Sequence, residues 1–142
     1  MPEIDWVIHM VGNGVCCAEC GKVENTFPEY ICNAHTHGLE RYGHLDFQMV
    51  IHTEPKLMGY VLNELGLRVQ SGQQFKAGDM VEGIFLDCPV RLDEVDECGR
   101  KVLRVIIPDG KNRFPEDPAC EYPYSFQLIP TDKLVRTIGT IS

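Results

Sequence analysis

Leu45-Asp46-Phe47-Gln48-Met49-Val50-Ile51-His52 is followed at once by Thr53-Glu54-Pro55-Lys56-Leu57-Met58, and this junction decides the fold. Apolar residues occupy every second position of the first eight, which predicts a half-buried strand. Thr53 is suited to cap a helix that begins with Glu54 and Pro55. Apolar residues then recur at helical spacing, and Gly66 is the predicted end of the helix.

Further strands are predicted on both sides of this junction. Alternating or extended patterns cover residues 6–11 and 30–37 before it, and residues 80–86, 90–95, 101–107 and 124–129 after it. The sequence therefore predicts an α+β fold, a mostly antiparallel sheet of about six strands with one main helix packed on it. The residues expected in the core are Phe47, Met49, Leu57, Val61, Leu62, Leu65, Val105 and Ile106.

The 142 residues are expected to form a single domain, with a Cys-rich N-terminal segment over 1–30 and a C-terminal tail over 131–142. The formal net charge is −8, which argues against nonspecific binding to nucleic acid or to an anionic membrane, because both require clustered Lys and Arg. The acidic start and the absence of a long apolar run lead us to expect a cytoplasmic protein without a membrane span.

The chain contains seven cysteines, an odd number in a chain long enough to fold without disulfides. Free thiols or a metal site explain them better. Cys17-x2-Cys20 and Cys32-x2-His35 approximate the spacing of the two pairs of ligands in a structural zinc site. The alternative is that these cysteines are small buried residues with reduced thiols.

A second candidate metal site is His35-x-His37 with His44 close behind. Positions two apart in a strand share a face, so His35 and His37 can reach one ion, and the turn from Gly38 to Gly43 can return His44. Gly38 is expected to leave room for the ion. Zinc is the ion expected if one is bound, and the alternative is that these are surface or hydrogen-bonded histidines.

The loop around Asp109, Lys111 and Arg113 is a candidate binding site for an anionic small molecule, because it presents two cations beside aromatic residues. The alternative is a turn in which Asp109 bonds its own backbone and the charges pair locally. The sequence has no phosphate-binding glycine loop and no serine elbow, which argues against nucleotide hydrolysis and serine chemistry. Whether the protein is an enzyme stays open at this point.

Three stretches occur in an order that resembles a known family: residues 34–47, containing His-Thr-His-Gly-Leu and Gly-His-Leu-Asp-Phe; Gly72 with residues 75–79; and Ile-Pro-Asp-Gly-Lys-Asn-Arg-Phe-Pro over 107–115. From about residue 31 to 127 the chain is similar to the domain-of-unknown-function family 4262, an uncharacterised group of small bacterial proteins. The family typically has an aromatic residue before Thr-x-Gly-Leu, where this chain has His35. The resemblance implies a bacterial source and no particular activity.

Two functions remain open at this point. The first is binding of a metal ion or small ligand through the His/Cys cluster. The second is a protein-interaction module, for instance an acidic partner that neutralises a basic protein, for which the net charge is the support. The expected partner is an unknown small molecule or protein, and a homodimer would favour the second function.

Overall fold

The computed structural model describes residues 4–11, 31–51, 55–97 and 99–129. Within them lie six strands and one α-helix, which confirms the predicted α+β fold with a mostly antiparallel sheet. The elements are β1 Val7–Val11, β2 Ile31–His37, β3 Asp46–Ile51, α1 Pro55–Gln70, β4 Met80–Val81, β5 Val90–Glu97 and β6 Arg100–Ile106. Two short 3₁₀ helices, Leu39–Tyr42 and Tyr124–Phe126, lie between β2 and β3 and after β6. No helix in these ranges is long and apolar enough to cross a membrane.

The strands are ordered β1-β2-β3-β6-β5-β4 across one sheet. All neighbouring pairs are antiparallel except β3 and β6, which are parallel. All six residues of β3 are buried. The prediction that this strand is half-buried is therefore wrong, because a central strand is covered on both faces whatever its alternation. Phe47 and Met49 face the apolar cluster that includes α1, and Gln48 faces the other side of the sheet.

The helix continues four residues beyond Gly66, so the predicted end is wrong. Gly66 instead lies against the indole of Trp6. A Cβ at this position would lie 2.5 Å from Trp6 Cζ2, so only glycine lets the helix and the indole approach this closely. The helix ends at Gln70, and Gly72 has the positive φ of 110° that is common just after a helix.

The main core lies between α1 and one face of the sheet. Every predicted core residue is buried except Leu57, which is 37% exposed near the start of the helix. The inclusion of Leu57 in the core is therefore wrong, because the apolar stripe of α1 that meets the sheet runs through Met58, Val61, Leu62 and Leu65.

Two predicted strands are wrong. The strand over 80–86 is reduced to β4, and bends follow it, with Gly83 at a φ of 88° and Arg68 Nη1 donating to the carbonyl of Glu82. The strand over 124–129 is a 3₁₀ helix and a turn. There the side chain of Gln127 bonds both the N–H and the carbonyl of Ile107, at 2.7 and 2.6 Å, so a side-chain amide contacts the chain after β6 where a backbone ladder was expected.

Candidate metal centre

Three imidazoles meet on the face of the sheet opposite α1. His35 and His37 lie two residues apart on β2, and His9 of β1 is paired directly with His35. The ring centroids are 5.7 Å apart for His9 and His35, 4.5 Å for His9 and His37, and 4.8 Å for His35 and His37. One nitrogen of each ring lies within 4.8 Å of one nitrogen of each of the others.

Binding of one ion would draw these three rings closer together. In a tetrahedral zinc site with Zn–N bonds of about 2.0–2.1 Å, ligand nitrogens are roughly 3.3 Å apart. His35 is fully buried, whereas His9 and His37 are half-buried. The cluster therefore combines one fully buried residue with two half-buried ones, and the Nε2 atom of His37 is itself buried.

The position of His9 depends on Trp6, which anchors β1 to the rest of the domain. Trp6 is 5% exposed, and its Nε1 donates to Asn63 Oδ1 of α1 at 2.9 Å. A Cβ on Gly38 would lie 3.1 Å from Trp6 Cα, so Gly38 makes room for the backbone before β1. The expectation that Gly38 leaves room for the ion is therefore corrected, because Trp6 occupies that space. Gly38 and Gly66 together allow Trp6 to hold β1, and hence His9, beside β2.

His44 is 9% exposed, and both of its ring nitrogens are engaged by the backbone. Its Nδ1 lies 2.7 Å from the carbonyl of Leu45, and its Nε2 accepts a hydrogen bond from the N–H of Phe75 at 2.9 Å. The two bonds define the tautomer with the proton on Nδ1, since a carbonyl only accepts and an N–H only donates. The ring also packs against Phe47 and Phe75. The structure thus brings His35 and His37 together with His9 and gives His44 other partners.

Two of the three predicted cysteine ligands lie in a part of the chain that the structure does not describe. Cys17 and Cys20 lie outside the described residues, and Cys32 is described only by its place in β2. Among the described residues, Cys88 is half-buried and Cys120 is buried. Burial raises the pKa of both thiols, and Asp87 and Asp109 respectively raise it further, which disfavours the nucleophilic thiolate form at neutral pH.

The carboxylate of Asp109 is the centre of the loop that follows β6. It is 3% exposed and accepts hydrogen bonds from the backbone N–H groups of Lys111, Arg113 and Glu121 and from Arg113 Nε. Burial alone would raise the pKa of Asp109, but these four bonds outweigh it and hold the pKa far below its usual value. The cation of Arg113 and the carboxylate anion of Asp109 thus pair within the loop. Binding of an anionic ligand through Asp109, Lys111 and Arg113 stays a prediction.

A cleft of about 320 Å³ lies beside this loop, between the start of α1 and the bends after β4. Its lining includes the apolar or aromatic side chains of Leu57, Phe85, Ile107 and Tyr124, together with Cys88. Arg113 and Lys111 are not among the residues that line it.

The sequence interpretation missed His9. His9 lies in the strand predicted over residues 6–11, and the partner of that strand could not be known from its own pattern. The alternation of side chains along a strand was the available signal. If β1 and β2 are antiparallel neighbours in this register, His9 lies on the same face of the sheet as His35 and His37.

The comparisons with known proteins give a family and no activity. The model of the family described as a domain of unknown function, DUF4262, matches residues 13–121. The match includes His35 and His37 and begins after His9. The searches of curated proteins and of solved structures returned no match to this chain. Since the match covers well over half of its length, the chain belongs to the DUF4262 family.

Proposed function

We propose that the protein binds one divalent transition-metal ion through His9, His35 and His37. The observation that supports this most directly is the convergence of three imidazole nitrogens from two paired strands within 4.8 Å. Two of the three ligands are those predicted from His-x-His, and His9 takes the place that had been assigned to His44.

The chemistry of the ligands narrows the class of ion. Neutral imidazoles suit zinc, copper, nickel and iron, whereas magnesium and calcium prefer oxygen ligands. Zinc is the ion we assign, as it accepts a tetrahedral arrangement with three histidines. Three protein ligands would leave the fourth position of a tetrahedral zinc ion to water or to a small ligand.

The test is the zinc content and zinc affinity of the purified protein. We expect one zinc per chain, and we expect His9→Gln and His37→Gln each to weaken binding by more than about tenfold, because each removes a ligand. Val7→Ala is the matched control: Val7 lies in the same strand, is exposed and pairs with His37. This variant should bind zinc as the wild type does.

Cys17→Ser combined with Cys20→Ser distinguishes the two metal hypotheses. A zinc site formed by cysteines would lose its metal in this variant and keep it in His9→Gln, the reverse of our expectation. A wild-type protein that binds no zinc contradicts the proposal. Size-exclusion chromatography of the same sample would then test the alternative, in which the acidic domain acts by association with itself or with a basic protein.

A further inference from the structure

A row of polar side chains crosses the sheet and ends at the histidine cluster. The strand registers align His9 with His35, His35 with Gln48, Gln48 with Arg104, and Arg104 with Asp93. His35, Gln48 and Arg104 are each no more than 1% exposed. A buried polar row of this length requires that its members satisfy one another, because unpaired polar groups are costly in a core.

The direction of the hydrogen bonds in this row is fixed from the Arg104 end. A guanidinium only donates, and Arg104 Nε lies 2.7 Å from the amide of Gln48, so the atom that meets it is the carbonyl oxygen of Gln48. Burial lowers the pKa of Arg104 to about 10, partly offset by Asp93, and the group is therefore still protonated at neutral pH. A second nitrogen of Arg104 donates to the carbonyl of Gln127 at 2.8 Å.

The orientation of Gln48 in turn fixes that of Asn33. With its oxygen on Arg104, Gln48 presents its NH₂ group to Asn33, and the acceptor 3.0 Å away is Asn33 Oδ1. The same Oδ1 lies 3.0 Å from His35 Nδ1. Since Oδ1 only accepts, His35 Nδ1 carries the proton and donates.

We infer that Asn33, Gln48 and Arg104 are positioning residues that hold His35 in its Nδ1–H tautomer and so make Nε2 its metal-binding atom. The assignment of the metal-binding atom rests on the proposed function, whereas the tautomer does not depend on any metal. Histidines that bind metals commonly donate their second ring nitrogen in this way, which fixes the orientation of the ring. Here an amide oxygen is the acceptor, and its own orientation is determined by a buried arginine two hydrogen bonds away.

The first measurement is the ¹⁵N NMR spectrum of the imidazoles in the metal-free protein. We expect His35 to show a protonated Nδ1 and an unprotonated Nε2. A His35 with its proton on Nε2 overturns the inference, whatever the metal affinity proves to be. If the Nδ1–H tautomer is found but the wild type binds no zinc, the hydrogen-bonded row stands, and the proposed function and the metal-binding atom both fall.

The second measurement is the zinc affinity of variants at Asn33. Asn33→Asp keeps an acceptor for His35, so we expect its affinity to stay within about threefold of wild type or to increase. Asn33→Leu removes the acceptor at similar volume and should weaken binding by about 10–100-fold. Asn112→Asp makes the same charge change at an exposed position and should leave the affinity unchanged. Equal affinities for Asn33→Leu and Asn33→Asp, in variants whose spectra show the native fold, would overturn the positioning role.

Discussion

At the scale of single residues, the histidines show how partners decide the role of a side chain. His44 bonds backbone groups through both of its ring nitrogens, whereas Nδ1 of His35 donates to the side-chain oxygen of Asn33. The spacing in the sequence was equally suggestive for both. The N–H group that bonds Nε2 of His44 belongs to Phe75, 31 residues away in the sequence, so the spacing of the histidines could not reveal it.

Asp109 provides a test of stability at the same scale. Its depressed pKa means that the ionised carboxylate stabilises the fold above the unfolded pKa of about 3.9, and that this contribution is lost as the pH falls from there towards the folded pKa. We therefore expect Asp109→Asn to lower the urea midpoint at pH 7. The difference from wild type should shrink below about pH 4.

Asp87→Asn, which changes the charge at an exposed carboxylate, is the control for this experiment. Its urea midpoint should stay close to that of wild type across the same pH range. A constant difference between Asp109→Asn and wild type from pH 7 to pH 3 would show that the four hydrogen bonds do not favour the ionised form.

At the scale of elements, the period of a pattern was informative and the ends of elements were not. The alternation at residues 45–52 and the helical spacing from Leu57 identified β3 and α1 as a strand and a helix. The stop at Gly66 failed because its role depends on Trp6, which is distant in sequence. The strand over 124–129 failed because Gln127 meets Ile107 through its side chain. His9 was missed for a related reason, because the pairing of His9 with His35 depends on the register between β1 and β2.

The two glycines of α1 offer a matched test of how β1 is attached. A Cβ on Gly59 would have no neighbour within 4 Å, so Gly59→Ala should stabilise the protein by roughly 0.5–1 kcal/mol through helix propensity. In Gly66→Ala the new methyl group would meet the Trp6 indole, and we expect a net loss of about 1–3 kcal/mol.

Urea denaturation of the two glycine variants measures both effects. Gly66→Ala should also weaken zinc binding, because displacing Trp6 moves His9, whereas Gly59→Ala should not. An equal gain in stability from both substitutions would mean that Trp6 does not pack on α1 as described.

At the scale of the whole molecule, the cysteine count gives a prediction that needs no structural detail. An odd number of cysteines in a domain with an ample core favours reduced thiols. Thiol titration of freshly purified, unreduced protein after unfolding should therefore return all seven. The loss of two or more thiols, restored by a reductant, would reveal a disulfide and contradict this expectation.

The parallel pairing of β3 with β6 has a consequence for how the chain assembles during synthesis. The pairing joins residues 46–48 to residues 102–104, and more than a third of the chain lies between them. While the ribosome is still making β5 and β6, β3 can already pair with β2, but its other edge has no strand beside it. Strands that are distant in sequence pair slowly, and until they pair, their unpaired edges can bind strands of other chains. The nascent domain is thus most exposed to aggregation just before its central pair closes, and slower translation over residues 71–100 would prolong that interval.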